Sequence, residues 1–139
     1  MNADAALVDR LRRHAVEAAS RSYSPYSRFP VGAAVASREG AVYVGCNVEN
    51  ASFGLTQCAE RAALTAAIAA GERPGDLVCL VIYIPGDARH PPCGACRQVM
   101  RELMSDDSLV YSFGDGDAYR VWSANEYLPD PFTPESLLK

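Results

Sequence analysis

Three cysteines and one glutamate have types and spacing that suit metal chemistry. Cys93 and Cys96 are separated by two small residues at the predicted start of one helix, and Cys58 stands at the predicted start of another. Three residues of helix turn through about 300°, so two such sulfur atoms lie about 60° apart and can bind one ion. Helix N-termini also stabilise thiolates. The pattern therefore predicts a three-thiolate site of a kind that suits Zn²⁺.

Glu60 follows Cys58 by two residues. On a regular helix this spacing turns the side chains about 200° apart, so they do not share a lateral face. Because side chains tilt toward the helix N-terminus, both can still converge on an ion off the helix end. Zinc with three protein ligands keeps one position for water, which is the catalytic arrangement. A neighbouring carboxyl can then move a proton from that water to a substrate nitrogen.

Two other interpretations of the cysteines stay open on this evidence. Cys93 and Cys96 could form a redox pair, or a structural zinc site in which His90 joins Cys58 as a fourth ligand. A structural site of that kind would make the chain a non-enzymatic, zinc-stabilised binding module. Cys46 and Cys79 lie in apolar strand patterns and are interpreted as small core residues.

The cysteine-bearing helices belong to an alternating pattern of helices and strands. Apolar periodicity predicts helices over 4–20, 57–70 and 94–104, strands over 31–37, 41–46, 77–84, 109–113 and 119–122, and a last helical turn in the tail. Such alternation favours a three-layer α/β/α sandwich around one mixed sheet of about five strands. No linker interrupts the pattern, so we expect a single domain over 1–139.

Composition narrows the classes of function. The chain has 139 residues, of which 49% are hydrophobic and 22% charged, and this balance supports a packed core. Thirteen basic and seventeen acidic residues give a net charge of −4, which argues against nucleic acid as a partner. No apolar stretch reaches the roughly 20 residues that a membrane-spanning helix needs. The first residues resemble no export signal, so a cytoplasmic protein is expected.

The paired motifs Cys58-Ala59-Glu60 and 92–96 (PCGAC) resemble the signature of the zinc-dependent cytidine deaminases, in the short three-cysteine class. Further segments extend this resemblance over nearly the whole chain: SPYSRFPVGAA (24–34), GCNVENAS (45–52), CAER (58–61), PCGACRQV (92–99) and LPDPF (128–132). The resemblance implies a cytidine deaminase-like fold. It also implies hydrolytic deamination of cytidine and deoxycytidine to uridine and deoxyuridine by a zinc-activated water, as in pyrimidine salvage.

The resemblance also implies a role for each residue of the site. Cys58, Cys93 and Cys96 would bind Zn²⁺, and Glu60 would shuttle the proton. Phe29 would contact the pyrimidine, and Ala59 would offer backbone groups to the base. Asn47 and Glu49 would hydrogen-bond the ribose. Arg61 would support the thiolates, and Phe132 would enter a neighbouring subunit's site. The short class is typically homotetrameric, so a homotetramer with shared active sites is expected.

Two departures from the family pattern concern substrate preference. Phe53 stands where many members carry tyrosine, and the loop 86–92 is longer than in compact members. Deamination of another aminopyrimidine nucleoside such as blasticidin S is an alternative, because the family that acts on it shares the zinc motifs. Asn47 and Glu49 favour a ribose-bearing substrate over that alternative.

Overall fold

Five strands and the helices around them make up the computed structural model, which describes residues 4–138. The helices are α1 (Ala5–Ala19), α2 (Ala59–Ala69), α3 (Gly94–Leu103), α4 (Ala124–Tyr127) and α5 (Pro134–Leu137), with a 3₁₀ turn at Phe53–Leu55. The strands are β1 (Gly32–Ser37), β2 (Val42–Cys46), β3 (Leu77–Tyr83), β4 (Met104–Phe113) and β5 (Tyr119–Ser123).

The strands form one mixed sheet in the order β2-β1-β3-β4-β5. Strands β3 and β4 are parallel and are connected through α3, whereas the other neighbouring pairs are antiparallel. The helix α3 therefore begins beyond the carboxyl end of β3, which is where α/β sheets place their ligand sites. The predicted mixed five-stranded sheet is confirmed.

Helices cover both faces of this sheet. On one face α1 packs through Leu11 and Ala15 against a cluster that includes Val81. On the other face α2 and α3 pack through Leu64 and Met100 against a cluster that includes Ile82. Because side chains alternate along a strand, β1 and β3 contribute to both clusters and are buried on both sides. The predicted three-layer α/β/α sandwich is confirmed.

Glycine at Gly45 allows α2 to lie very close to β2. A Cβ atom at this position would lie 2.6 Å from the carbonyl oxygen of Ala59 and 2.5 Å from the nitrogen of Ala63. Both neighbours are backbone atoms of α2, so they cannot move aside without moving the helix. This contact fixes the first turn of α2, which carries Cys58 and Glu60, against the sheet.

Two elements differ from the sequence-based prediction. Strand β4 begins at Met104, directly after α3, rather than at Leu109. Its first half is polar and the pairing with β3 shifts register between Leu77 and Cys79, so no alternation marked it as strand. The four-residue helix α4 was not predicted, because its signal is a single capping box between Ser123 and Glu126.

None of the helices within residues 4–138 has the length and hydrophobicity that a membrane span needs. The domain predicted over 1–139 includes residues 1–3 and 139, which lie outside the described residues.

Cys79 is buried in the core as predicted, and burial raises the pKa of its thiol to about 12. Cys46 is only half-buried.

Candidate active site at two helix N-termini

The three predicted cysteines converge between two helix starts. Cys58 is the N-cap residue of α2, Cys93 is the N-cap residue of α3, and Cys96 lies in the first turn of α3. The three sulfur atoms lie within 4.8 Å of one another, and those of Cys58 and Cys93 are 3.9 Å apart. Within the described part of the chain, this trio is the group of side chains whose ligand atoms cluster closely enough to hold a metal ion.

The trio fits a zinc ion. A Zn–S bond of about 2.3 Å in tetrahedral geometry places neighbouring sulfur atoms about 3.8 Å apart. The observed 3.9 Å between Cys58 and Cys93 agrees with that spacing. His90 is not part of the cluster, so three protein ligands converge here rather than the four of a structural zinc site.

The charges around the sulfur atoms also favour a cation. Hydrogen bonding from Cys96 and from the Arg61 guanidinium lowers the pKa of the Cys58 thiol to about 5. The Arg61 Nη2 atom donates to Cys58 Sγ over 3.1 Å. The hydrogen bond between Cys58 and Cys96, together with burial, raises the pKa of the Cys96 thiol. A Cys96 thiolate would stand beside that of Cys58 and be repelled by it. A divalent cation between the sulfur atoms removes this repulsion and allows all three to be thiolates.

Glu60 is buried beside the cysteines. It lies in the first turn of α2, and only 6% of its surface is exposed. Burial, more than any other interaction, raises the pKa of its carboxyl above the ordinary value. A buried carboxyl with a raised pKa suits general acid–base catalysis.

A cavity of about 430 Å³ opens from the cysteines toward the solvent. Its lining residues are Ser27, Phe29, Val31, Asn47, Glu49, Thr56, Cys58, Ala59, Glu60, Ile82, Ile84, His90, Pro91 and Cys93. The lining combines polar side chains from the loops, the cysteines and Glu60 from the two helix starts, and apolar side chains. Apolar surface with a few polar groups is typical of a small-molecule site.

Asn47 and Glu49 are both held by the loop that precedes β1. The Asn47 side chain donates to the carbonyl of Phe29 over 2.8 Å and accepts from the N–H of Val31 over 2.9 Å. The Glu49 carboxylate accepts from the N–H groups of Tyr26 and Ser27 over 3.0 and 3.1 Å and from the Ser27 hydroxyl. Both side chains line the cavity in positions set by this loop.

Phe29 and His90 are aromatic side chains in the lining of the cavity. The rings of Phe29 and His90 meet edge to face, with centroids 5.3 Å apart and planes at 79°. Phe132 lies elsewhere, with 61% of its surface exposed, and its carbonyl accepts a hydrogen bond from Gln98 over 2.8 Å. Phe132 does not line the cavity of its own chain.

Comparison with known proteins agrees with this geometry. A sequence model described as the cytidine and deoxycytidylate deaminase zinc-binding region matches residues 7–112. The chain belongs to this deaminase family. A cytidine deaminase of Halalkalibacterium halodurans is 45% identical over 128 residues, which cover 91% of this chain and 95% of the relative. A cytidine deaminase of Mycobacterium tuberculosis is 40% identical over 127 residues, covering 91% of this chain and 90% of the relative.

Solved structures show the same likeness in three dimensions. The crystal structure of cytidine deaminase from Burkholderia pseudomallei superposes on this deaminase with a TM-score of 0.85 at 46% identity, covering 89% of this chain and 98% of that one. The crystal structure of cytidine deaminase from Mycobacterium tuberculosis gives a TM-score of 0.74 at 39% identity, covering 89% of this chain and 95% of that one. The cytidine deaminase-like fold is therefore confirmed, and Zn²⁺ is the cofactor of the family region.

The deaminase cavity contains most of the predicted site residues. Those that line it are Cys58, Cys93, Glu60, Phe29, Asn47, Glu49 and Ala59. Cys96 belongs to the sulfur cluster and Arg61 contacts that cluster through Cys58. Phe132 is not among the residues that line it.

Sequence reasoning missed several residues of this site. Ser27, Thr56, Ile82, Ile84 and Pro91 line the cavity and were not predicted to do so. The apolar ones lie at the end of a buried strand or in a proline-rich loop, where no polar residue marks a site. Ser27 belongs to a segment that resembles the family, but no spacing distinguishes it from the other serines there. Its contacts with Glu49 depend on a loop geometry that periodicity does not predict.

Proposed function

We propose that this chain catalyses the hydrolytic deamination of cytidine and deoxycytidine to uridine and deoxyuridine. Water and the nucleoside are consumed, and ammonia is released. The observation that supports this most strongly is a cavity lined by Cys58, Cys93, the buried Glu60 and the residues assigned to the ribose, with Cys96 completing the sulfur cluster. Membership of the deaminase family, whose relatives are named cytidine deaminases, agrees with it.

The metal ligands are Cys58, Cys93 and Cys96 in this proposal. Zinc would supply Lewis acidity, which lowers the pKa of water at the site. The three residues would hold the ion without His90, which lies outside the sulfur cluster. Arg61 donates a hydrogen bond to Cys58 and offsets part of the thiolate charge, which preserves the acidity of the metal.

Glu60 is the proton carrier. Its carboxylate accepts a proton from the attacking water and delivers it to ring nitrogen 3 of the pyrimidine. The water oxygen bonds to carbon 4, and Glu60 then passes the remaining proton of that oxygen to the exocyclic amine. The bond between carbon 4 and this amine breaks, ammonia leaves, and carbon 4 keeps the oxygen as a carbonyl. Burial keeps this carboxyl away from bulk water and raises its pKa, which favours proton uptake by the carboxylate.

Four residues bind the nucleoside. Phe29 lies on the wall of the cavity, where its ring can contact the pyrimidine face. Ala59, in the first turn of α2, offers its backbone to the polar edge of the base. Asn47 and Glu49 hydrogen-bond the ribose, and both are fixed by the loop before β1. A ring between Phe29 and Ala59 lies next to Glu60, as proton transfer requires.

The functional unit is a homotetramer with shared active sites. Large apolar side chains are exposed on one chain, including Phe53 at 73% and Phe132 at 61%. Contact with further copies of the chain would cover these side chains. Phe132 stands outside the cavity of its own chain, so it is free to enter that of a neighbour. The cytoplasmic location and the role in pyrimidine salvage belong to the same proposal.

Uridine formation tests the proposal directly. Purified, zinc-loaded protein is mixed with cytidine, deoxycytidine or blasticidin S, and the loss of each amine is followed by absorbance and by ammonia release. We expect turnover of the first two substrates. Turnover of blasticidin S in preference to cytidine would identify the alternative substrate class. Zinc-loaded protein that converts none of the three would overturn the assignment as an enzyme of this kind.

A further inference from the structure

The loop before β1 surrounds the carboxylate of Glu49. The N–H groups of Tyr26 and Ser27 donate to one carboxylate oxygen, over 3.0 and 3.1 Å, and the Ser27 hydroxyl donates to the other. A carboxylate offers about four acceptor sites, so three donors leave it capacity for one sugar hydroxyl. The orientation of that remaining site is set by the loop.

The Ser27 hydroxyl has a second partner. It accepts a hydrogen bond from the N–H of Phe29 over 3.1 Å while it donates to Glu49. A hydroxyl has one hydrogen to donate and two lone pairs to accept, so both bonds form together. Ser27 therefore joins the residue assigned to the ribose with the residue assigned to the base.

The backbone of this loop is shaped for that double contact. Arg28 adopts a φ of 55°, in the left-handed region that few non-glycine residues occupy. Its N–H donates to the carbonyl of Ser24 over 2.9 Å, which closes the turn. On the far side of Phe29, the Asn47 side chain accepts from Val31 and donates to the Phe29 carbonyl. Phe29 is thus held by Ser27 before it and by Asn47 after it.

We propose that Ser27 is a positioning residue for the nucleoside, which aligns the Glu49 carboxylate and the Phe29 ring with each other through its one hydroxyl. This inference rests on the proposed function, because the roles of Glu49 and Phe29 come from it. The Ser27 hydroxyl and N–H also hold the pKa of Glu49 below its ordinary value, so the carboxylate stays charged as a sugar acceptor. Ser27 makes no contact with the cysteines in this arrangement and acts on binding rather than on the chemical step.

Substitution of Ser27 separates binding from chemistry. In the zinc-loaded enzyme, Ser27→Ala is expected to raise KM for cytidine about tenfold with kcat unchanged, as for a lost hydrogen bond to a charged group. Ser27→Thr keeps the hydroxyl and is expected to restore most of the lost affinity. Ser24→Ala removes a hydroxyl from the same loop that contacts Ser22 rather than Glu49, and serves as the matched control. Zinc content and circular dichroism are measured for every variant.

A double-mutant cycle tests the route of the effect. If Ser27 acts largely through Glu49, then Ser27→Ala raises KM by no more than about threefold in a Glu49→Ala background, because the shared interaction is already lost. Equal factors in both backgrounds would overturn the positioning role. So would an equal loss in Ser27→Ala and Ser24→Ala, a fall in kcat rather than a rise in KM, or a failure of Ser27→Thr to restore affinity.

The wild-type measurement keeps the two proposals apart. Cytidine turnover by the wild-type enzyme with unchanged KM in Ser27→Ala would overturn the role of Ser27 and leave the function intact. Absence of turnover by zinc-loaded wild-type protein would overturn the function, and the role of Ser27 in that reaction would fall with it. If Ser27→Ala does not fold, the same cycle is run with Ser27→Gly, which also lacks the hydroxyl.

Discussion

Two groups of site residues are built in different ways: the cysteines with Glu60, called the metal end, and Glu49 with Phe29, called the sugar end. At the metal end, Cys58, Cys93 and Cys96 lie at the starts of two core helices, and Cys96 and Glu60 are buried. At the sugar end, Glu49 and Phe29 lie in loops and are partly exposed. Helices fixed by a core hold reacting groups in place, whereas loops accommodate changes in sequence. Under the proposed function, we therefore expect the metal end to fix the reaction and the sugar end to select the substrate.

The largest effect on zinc binding and turnover is expected when a metal ligand is removed. Cys96→Ala is expected to abolish zinc binding and turnover, because two thiolates cannot hold the ion in a three-ligand site. Zinc content by metal analysis, melting temperature and uridine formation measure the result. Cys79→Ala is the matched control, since Cys79 is a buried cysteine outside the cluster. It should cost about 1 kcal/mol of stability while retaining zinc and turnover.

The next effect separates the metal from the proton carrier. Glu60→Gln keeps the size of the side chain and removes its ability to move a proton. We expect full zinc content, nucleoside binding close to that of the wild type, and a kcat lower by about 10²- to 10⁴-fold. Metal analysis and steady-state kinetics test this together. Near-normal turnover in this variant would show that another group carries the proton.

A smaller effect is expected where the sugar end depends on a second subunit. Phe132→Ala should raise KM about tenfold, as for the loss of one aromatic contact of about 1.5 kcal/mol, and should leave zinc in place. Subunits carrying Glu60→Gln and Phe132→Ala are then mixed by co-expression. Shared sites predict that the mixture recovers a population with wild-type KM, because one partner supplies Glu60 and the other supplies Phe132. A mixture that keeps the KM of Phe132→Ala alone would refute sharing.

The smallest effect concerns the ring that faces Phe29. His90→Ala removes the edge-to-face contact and is expected to raise KM about two- to fivefold, in line with an aromatic pair worth about 0.5–1 kcal/mol. His90→Phe keeps the contact and should behave like the wild type in KM. Zinc content should be unchanged in both variants, since His90 lies outside the sulfur cluster. Loss of zinc in His90→Ala would instead support a four-ligand structural site.

The sequence predicted the metal end more completely than the sugar end, because only the metal end depends on local helix geometry. The spacing of Cys93 and Cys96 and the helical periodicity around them predicted the metal end, because local geometry places those sulfur atoms. The contacts of Glu49 with Tyr26 and Ser27 join residues 22 or more positions apart, and no local period encodes them. Strand β4 shows the same limit, since its polar first half becomes a strand only through pairing with β3.

The close approach at Gly45 has a consequence for how this enzyme can change. Any larger residue there would displace the first turn of α2, and with it Cys58 and Glu60, from its position on the sheet. Because the Gly45 backbone does not line the cavity, such a variant would retain every reacting group and still be inactive. Attempts to engineer the enzyme should therefore spare this strand and vary the exposed loops.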